Sequence, residues 1–210
     1  MKMQKILPGN ELVRDIYFHI TYRKNLGWKH TSVKPQEELS EYKLVDSNLI
    51  FLTITKNPYS WLLSLYRNPY HQYYAEKPSF EDFLKSQWET IGRDNIQGDL
   101  PSPIELWNIK NKSYLQLDIG KTLNITTESI FQDAGGIIQK ISERFSIERK
   151  SDEFINYERS TKHKSKDSEY YRDYYLSEKW RENLSNEAIA IINESIDKDL
   201  MTHFGYSVLP

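Results

Sequence analysis

The sequence predicts an α/β protein in three layers, a central parallel sheet flanked by helices, and three observations carry that prediction. Residues 49–55 (LIFLTIT) are a short apolar run rich in β-branched and aromatic residues, as expected of a strand buried on both faces of a parallel sheet. Lys56-Asn57-Pro58 ends the run, and Trp61, Leu62, Leu65 and Tyr66 follow at helical spacing. Proline is excluded from central strands and favoured at the first position of a helix, so strand converts to helix there. Strand-like and helix-like stretches also alternate along the chain, which is the pattern of a parallel sheet whose ligands gather at the strand C-terminal ends.

Composition narrows the function classes. The 210 residues suit a single domain spanning 1–210 and suffice for a sizeable core. With 28 Lys+Arg against 30 Asp+Glu, the net charge of −2 argues against bulk nucleic-acid or membrane-surface binding, so any anion site has to be local. The absence of cysteine removes disulfides, thiolate nucleophiles and thiolate metal ligands. The start, MKMQKILPG, is too short in apolar residues for a signal peptide, and no run reaches membrane-spanning length, so a soluble, cytoplasmic protein is expected. With 15 Tyr and 5 Trp in a chain only 38% hydrophobic, large side chains are expected to build the core.

In chain order, 3–7 is a strand candidate, Pro8-Gly9-Asn10 a turn, and 11–22 a helix with Leu12, Ile16 and Ile20 on one face. Gly9 and Asn10 have two readings, a plain turn or a backbone nest for an anion, with Arg14 as a nearby cation. Lys29-His30 follows, then a short helical or loop segment at 37–42 leading to the central strand. Beyond the helix that starts at Pro58, Tyr70, His71, Tyr73 and Tyr74 form an aromatic cluster, for which packing is favoured over an acceptor-pocket role. Ser79 with Asp82 caps a helix over 79–88. Residues 91–103, with two glycines and two prolines, read as a loop and candidate lid.

Residues 104–117 are amphipathic at helical spacing, and 122–127 is a second strand. A helix is expected over 129–145, interrupted at Gly135-Gly136, with Ile137, Ile138, Ile141 and Phe145 facing the core. Residues 149–175 are dense in charge and include Lys162-His163-Lys164-Ser165-Lys166, so a solvated loop is expected. One or two helices over 177–204 close the chain, with Ser185 as N-cap and Gly205 as the stop.

The chemistry concentrates at the first strand end. A strand, a tight turn bearing a cation, and a helix entered through Asn-Pro form a geometry that holds an anion: the helix mouth presents partial positive charge and Lys56 a full one. Ser64 lies a little over two turns into that helix, where its hydroxyl can reach the same group. Pro8, His30 and Lys56 all fall at expected strand ends, converging on one crevice.

The run ITKNPYSWLLSLY resembles the 3′-phosphate-binding segment of sulfotransferases that use 3′-phosphoadenosine 5′-phosphosulfate (PAPS), and FEDFLKSQW, PIELWN and the C-terminal stretch are similar to their counterparts in that family. The resemblance implies a P-loop-like three-layer fold and a transferase that moves a sulfuryl group from PAPS, without a metal, to a hydroxyl on a small-molecule or carbohydrate acceptor. It implies that Lys56, in place of the family's arginine, and Ser64 grip the 3′-phosphate, with the charged loop, including Lys164 and Lys166, closing over it. Lys29-His30 matches the family's lysine and histidine beside the transferred group, which makes His30 the general base and Lys29 its electrostatic partner. The family's 5′-phosphosulfate loop is replaced by Pro8-Gly9-Asn10-Glu11-Leu12-Val13, which leaves Gly9, Asn10 and Arg14 to serve that end. Its Tyr-Glu-Asp is replaced by Thr127-Glu128-Ser129. The alternative is a catalytically impaired member that binds a nucleotide, another anion or a protein partner. A Mg-nucleotide kinase is disfavoured, since no Gly-x-x-x-x-Gly-Lys-Ser/Thr is present.

Overall fold

The computed structural model describes residues 13–14, 16–17, 20–21, 30–40, 49–151, 153–156 and 165–210. The expected strand at 3–7 and the turn at Pro8-Gly9-Asn10 lie outside the described residues. Of the expected helix at 11–22, the described positions are helical and, apart from the half-buried Thr21, exposed.

Two strands, β1 (Phe51–Thr55) and β2 (Thr122–Thr126), pair in parallel, with Phe51 opposite Thr122 and Thr55 opposite Thr126. Helices flank this small sheet, in the mixed α/β manner that the alternation predicts. The α-helices whose bounds fall within the described residues are α1 (Gln36–Ser40), α2 (Pro58–Arg67), α3 (Phe80–Lys85), α4 (Pro103–Tyr114), α5 (Thr127–Gln132), α6 (Ala134–Phe145), α7 (Ser168–Leu176), α8 (Asn186–Ser195) and α9 (Lys198–His203). Among the described residues, no helix is long and apolar enough to cross a membrane.

β1 is buried on one face only, not on both as its apolar run suggests. Side chains alternate along a strand, and here Thr53 and Thr55 point inward while Leu52 and Ile54 remain 45% and 51% exposed. The inward face is polar because α4 offers a polar partner: the Thr55 hydroxyl donates to Asn111 Oδ1 at 2.8 Å.

The switch from strand to helix occurs where Asn57-Pro58 places it. The Asn57 side chain accepts from the Tyr59 N–H at 3.1 Å, and Pro58 occupies the first turn, where a missing N–H costs nothing. Tyr59, Leu62, Leu63 and Leu65 of α2 then face the core with Phe83, Trp88, Trp107, Trp180, Ile192 and Met201. Three of the five tryptophans are essentially inaccessible, so the large-residue core expected from composition is observed.

Helix α4 is buried on almost every side, including its asparagines. Each finds partners: Asn108 donates to the Ser195 carbonyl at 2.9 Å and accepts from the Asp197 N–H at 3.0 Å, tying α4 to the junction of α8 and α9. Ser79 and Ser185 cap α3 and α8 as expected, and Gly205 adopts a φ of +78° after α9, where a Cβ would be strained.

Several expectations are corrected. The helix expected over 79–88 ends at Lys85, because Trp88 pairs instead with Leu100 through two 2.9 Å backbone hydrogen bonds. That bridge pins the 91–103 segment, whose Arg93 and Asp94 are also buried. The break expected at Gly135-Gly136 falls at Asp133, which caps α6 by accepting from the Gly136 N–H at 2.8 Å. Residues 137–145 supply no buried side chain, and Ile138 is 39% exposed, so α6 is a peripheral helix and not part of the core. Part of the charged 149–175 stretch is α7, in which stacked tyrosines, Tyr170 on Tyr174 and Tyr171 on Tyr175, replace the expected loop.

Trp107 fills the centre of this core and donates a hydrogen bond from its indole. Trp107→Ala is expected to lower unfolding free energy by about 3–5 kcal/mol, read as a fall in the urea midpoint at unchanged slope.

Candidate functional site

The C-terminal end of β1 brings Lys56 onto α2. Its ammonium donates to Ser64 Oγ at 2.8 Å and to the Tyr175 hydroxyl at 3.0 Å, with Nζ 4.3 Å from the centre of the Tyr175 ring. The eight-residue spacing works because one strand-to-helix turn and two helical turns return Ser64 to the level of the strand end. Ser64 in turn donates to the Ser60 carbonyl at 2.9 Å, which orients its oxygen toward the lysine. Among the described residues, the two hydroxyls are the only hydrogen-bond partners of the Lys56 ammonium, and no carboxylate forms an ion pair with it. One of its three N–H donors remains for a ligand.

Burial lowers the pKa of Lys56 to about 8; the Glu128 carboxylate acts in the opposite direction, and Arg67 adds to the lowering. Arg67 lies three residues beyond Ser64 on the same side of α2 and also disfavours the charge on Lys166. Lys56, Arg67 and Lys166 thus form one basic neighbourhood. Lys166 itself donates to the Tyr170 hydroxyl at 2.9 Å, which holds its pKa above the ordinary lysine value.

The helix mouth contributes less than expected. The Asn57 N–H donates to Glu128 Oε1 at 3.2 Å and the Tyr59 N–H to Asn57 Oδ1, so the first donors of α2 are already taken. Glu128 also accepts from the Tyr206 hydroxyl at 2.7 Å, and burial together with this carboxylate raises the phenol's pKa. Thr127 donates to the Thr55 carbonyl at 3.2 Å, while Ser129 and Thr126 cap α5 reciprocally. Residues 127–129 therefore clamp the two strand ends together.

His30 lies beside Tyr70, just past the C-terminus of α2. The rings stack at 4.5 Å with an interplanar angle of 28°, and the Tyr70 hydroxyl is 3.2 Å from His30 Nδ1. Burial first, then Asp94, raise the pKa of the Tyr70 phenol, so it stays protonated at neutral pH. His71 has the packing role that sequence favours: it is buried, Nε2 lies 2.7 Å from the Glu89 carbonyl, and the ring packs on Trp88. Arg14 is exposed. Lys29, Gly9, Asn10 and Lys164 lie outside the described residues.

Compared with family models, curated proteins and solved structures, the chain matches none.

Two contributors to the site, Tyr175 and Glu128, were not singled out in the sequence, and neither was the buried Lys110 of α4. Tyr171 and Tyr175 are spaced as neighbours on one helix face, which is the signal for the first. Lys110 lies on the same helix face as Trp107 and Tyr114, and a lysine on a buried face is itself a signal. A separate cleft of about 690 Å³ opens between residues 32–37 and the Ile109, Lys112 and Ser113 side of α4; none of the expected site residues lines it.

The electrostatics of Lys56 can be checked directly. Arg67→Met is expected to raise its pKa from about 8 and Glu128→Gln to lower it further, followed by NMR titration of the lysine side chain.

Proposed function

We propose that this chain is a sulfotransferase-like protein, with the three-layer P-loop-like arrangement of that family, that takes PAPS as donor and a hydroxyl of a small molecule or sugar as acceptor. The observation that carries the reading is the Lys56 ammonium resting on Ser64 and Tyr175 at a strand end, without a carboxylate partner among the described residues. A partly buried cation beside hydroxyls, next to Arg67, suits a doubly charged 3′-phosphate. Lysine makes point contacts where arginine would make a fork, so Ser64 and Tyr175 supply the direction that a guanidinium would otherwise impose.

In the reaction proposed, the acceptor oxygen attacks sulfur as the bond from sulfur to the bridging oxygen breaks. The acceptor proton passes to His30, and the electron pair leaves with adenosine 3′,5′-bisphosphate. For His30 to accept at Nε2, its Nδ1–H must donate to the Tyr70 oxygen, and the stack on Tyr70 fixes the ring for that role. Lys29 stabilises the charge that develops on the bridging oxygen. The second reading, a non-catalytic anion-binding protein, draws on residues 8–13, which carry no cation and one carboxylate.

Calorimetry with adenosine 3′,5′-bisphosphate tests the donor site, and Lys56→Met is expected to weaken binding about 100-fold. Because only the ammonium form binds a phosphate, and a phosphate is doubly charged only above about pH 6, wild-type affinity should be level between about pH 7 and 8 and fall by up to about tenfold per unit above that. Affinity that stays flat to pH 10 would remove Lys56 from the site. Sulfate transfer from labelled PAPS decides between the two readings: the wild type should transfer, His30→Ala should lose about 100-fold or more in rate, and binding without transfer selects the second.

A further inference from the structure

Lys110 is a buried lysine that the site described above does not use. It is 6% exposed, projects from the enclosed helix α4, and among the described residues makes neither a hydrogen bond nor an ion pair from its ammonium. Its described neighbours are the Trp61 ring, 5.7 Å from Nζ, and the carboxylate of Asp94, close enough to raise its pKa but not to form an ion pair. Asp94 is committed elsewhere: Oδ2 accepts the Ile91 N–H at 3.0 Å and lies 3.7 Å from His71 Nε2. Burial lowers the Lys110 pKa to about 8, so the group is still mostly charged at neutral pH. A buried charge with no partner is strongly unfavourable unless an anion meets it.

Its position bears on which anion that would be. On the same helix, Trp107 donates to the Lys56 carbonyl at 3.0 Å and Asn111 accepts from Thr55 at 2.8 Å, so this stretch of α4 packs on the C-terminal end of β1, and Lys110 projects from the adjoining face of the helix. Trp61, which it faces, is one turn before Ser64 on α2. On its other side Asp94 acts on both Lys110 and Tyr70, and Tyr70 carries His30. A continuous path of neighbours therefore runs from the Lys56 cluster through Lys110 to the His30–Tyr70 stack. A donor anchored by its 3′-phosphate at Lys56 and reacting beside His30 has to place its other charged end along that path.

We propose that Lys110 holds the 5′-phosphosulfate end of the donor, supplying from α4 the cation that residues 8–13 lack. This rests on the PAPS reading above, and two nucleotides separate its failure from that reading's failure. Binding of adenosine 3′,5′-bisphosphate and of adenosine 3′-monophosphate is measured by calorimetry on wild type, Lys110→Met and Lys56→Met. The expected result is that Lys110→Met weakens the bisphosphate by about tenfold or more and leaves the 3′-monophosphate within about twofold, whereas Lys56→Met weakens both.

If Lys110→Met changes both nucleotides equally, or neither, while the wild type still binds the bisphosphate, Lys110 has no such role and the donor site at Lys56 stands. If the wild type binds neither nucleotide, the donor reading falls and this assignment with it. Removing an unpartnered buried charge is also expected to leave the melting temperature of the ligand-free protein unchanged or higher, which a lysine serving only the fold would not show. Should the methionine variant not fold, Lys110→Gln, uncharged and polar, is read by the same comparison.

Discussion

The structure depends on how the polar groups of three consecutive residues, Thr55, Lys56 and Asn57, are satisfied where β1 ends. A strand that stops inside a protein leaves backbone donors and acceptors that must find partners. Here the Thr55 carbonyl accepts from Thr127, the Lys56 carbonyl from the Trp107 indole, and the Asn57 N–H donates to Glu128. The Asn57 carbonyl accepts from the Trp61 N–H and the Ser60 hydroxyl. Residues of α2, α4 and α5 thus converge on one point, and the Lys56 side chain is aimed by those contacts at Ser64 and Tyr175.

That convergence explains why the enclosed helix α4 carries asparagines and a lysine. A helix packed on all sides cannot send polar groups to water, so each must be matched by a neighbour. Asn108 and Asn111 are matched within the protein, by the α8–α9 junction and by Thr55. Lys110 has no hydrogen-bond or ion-pair partner among the described residues, and this contrast with its two neighbours sets it apart. Lys56 shows a milder form of the same condition: two neutral hydroxyls are its hydrogen-bond partners, and burial weakens its hold on the proton.

Much of the local structure was legible in the sequence. Asn57-Pro58 marks the strand-to-helix switch because proline suits only one side of it, and Ser79, Ser185 and Gly205 mark helix ends through capping and positive φ. The pairing of Lys56 with Ser64 follows from their spacing. Less legible were features set by competition between partners. Asp133 caps α6 one turn earlier than the glycine pair suggests, and Trp88 leaves its helix for a bridge to Leu100. The apolar look of 49–55 also concealed that the inward positions are threonines, because only the pairing with α4 decides which face is covered.

By itself the sequence determined the elements that rest on local chemistry: where a proline can stand, which serine can cap, and how far a serine must lie from a lysine to face it. Tertiary structure alone decided the second hydroxyl partner of Lys56, the placement of Glu128 between Asn57 and Tyr206, and the burial of Lys110 beside Trp61. The reason is range. Capping and helical spacing act within a few residues, whereas Tyr175 reaches Lys56 across more than a hundred, and whether a charge is solvated or stranded depends on which elements close around it.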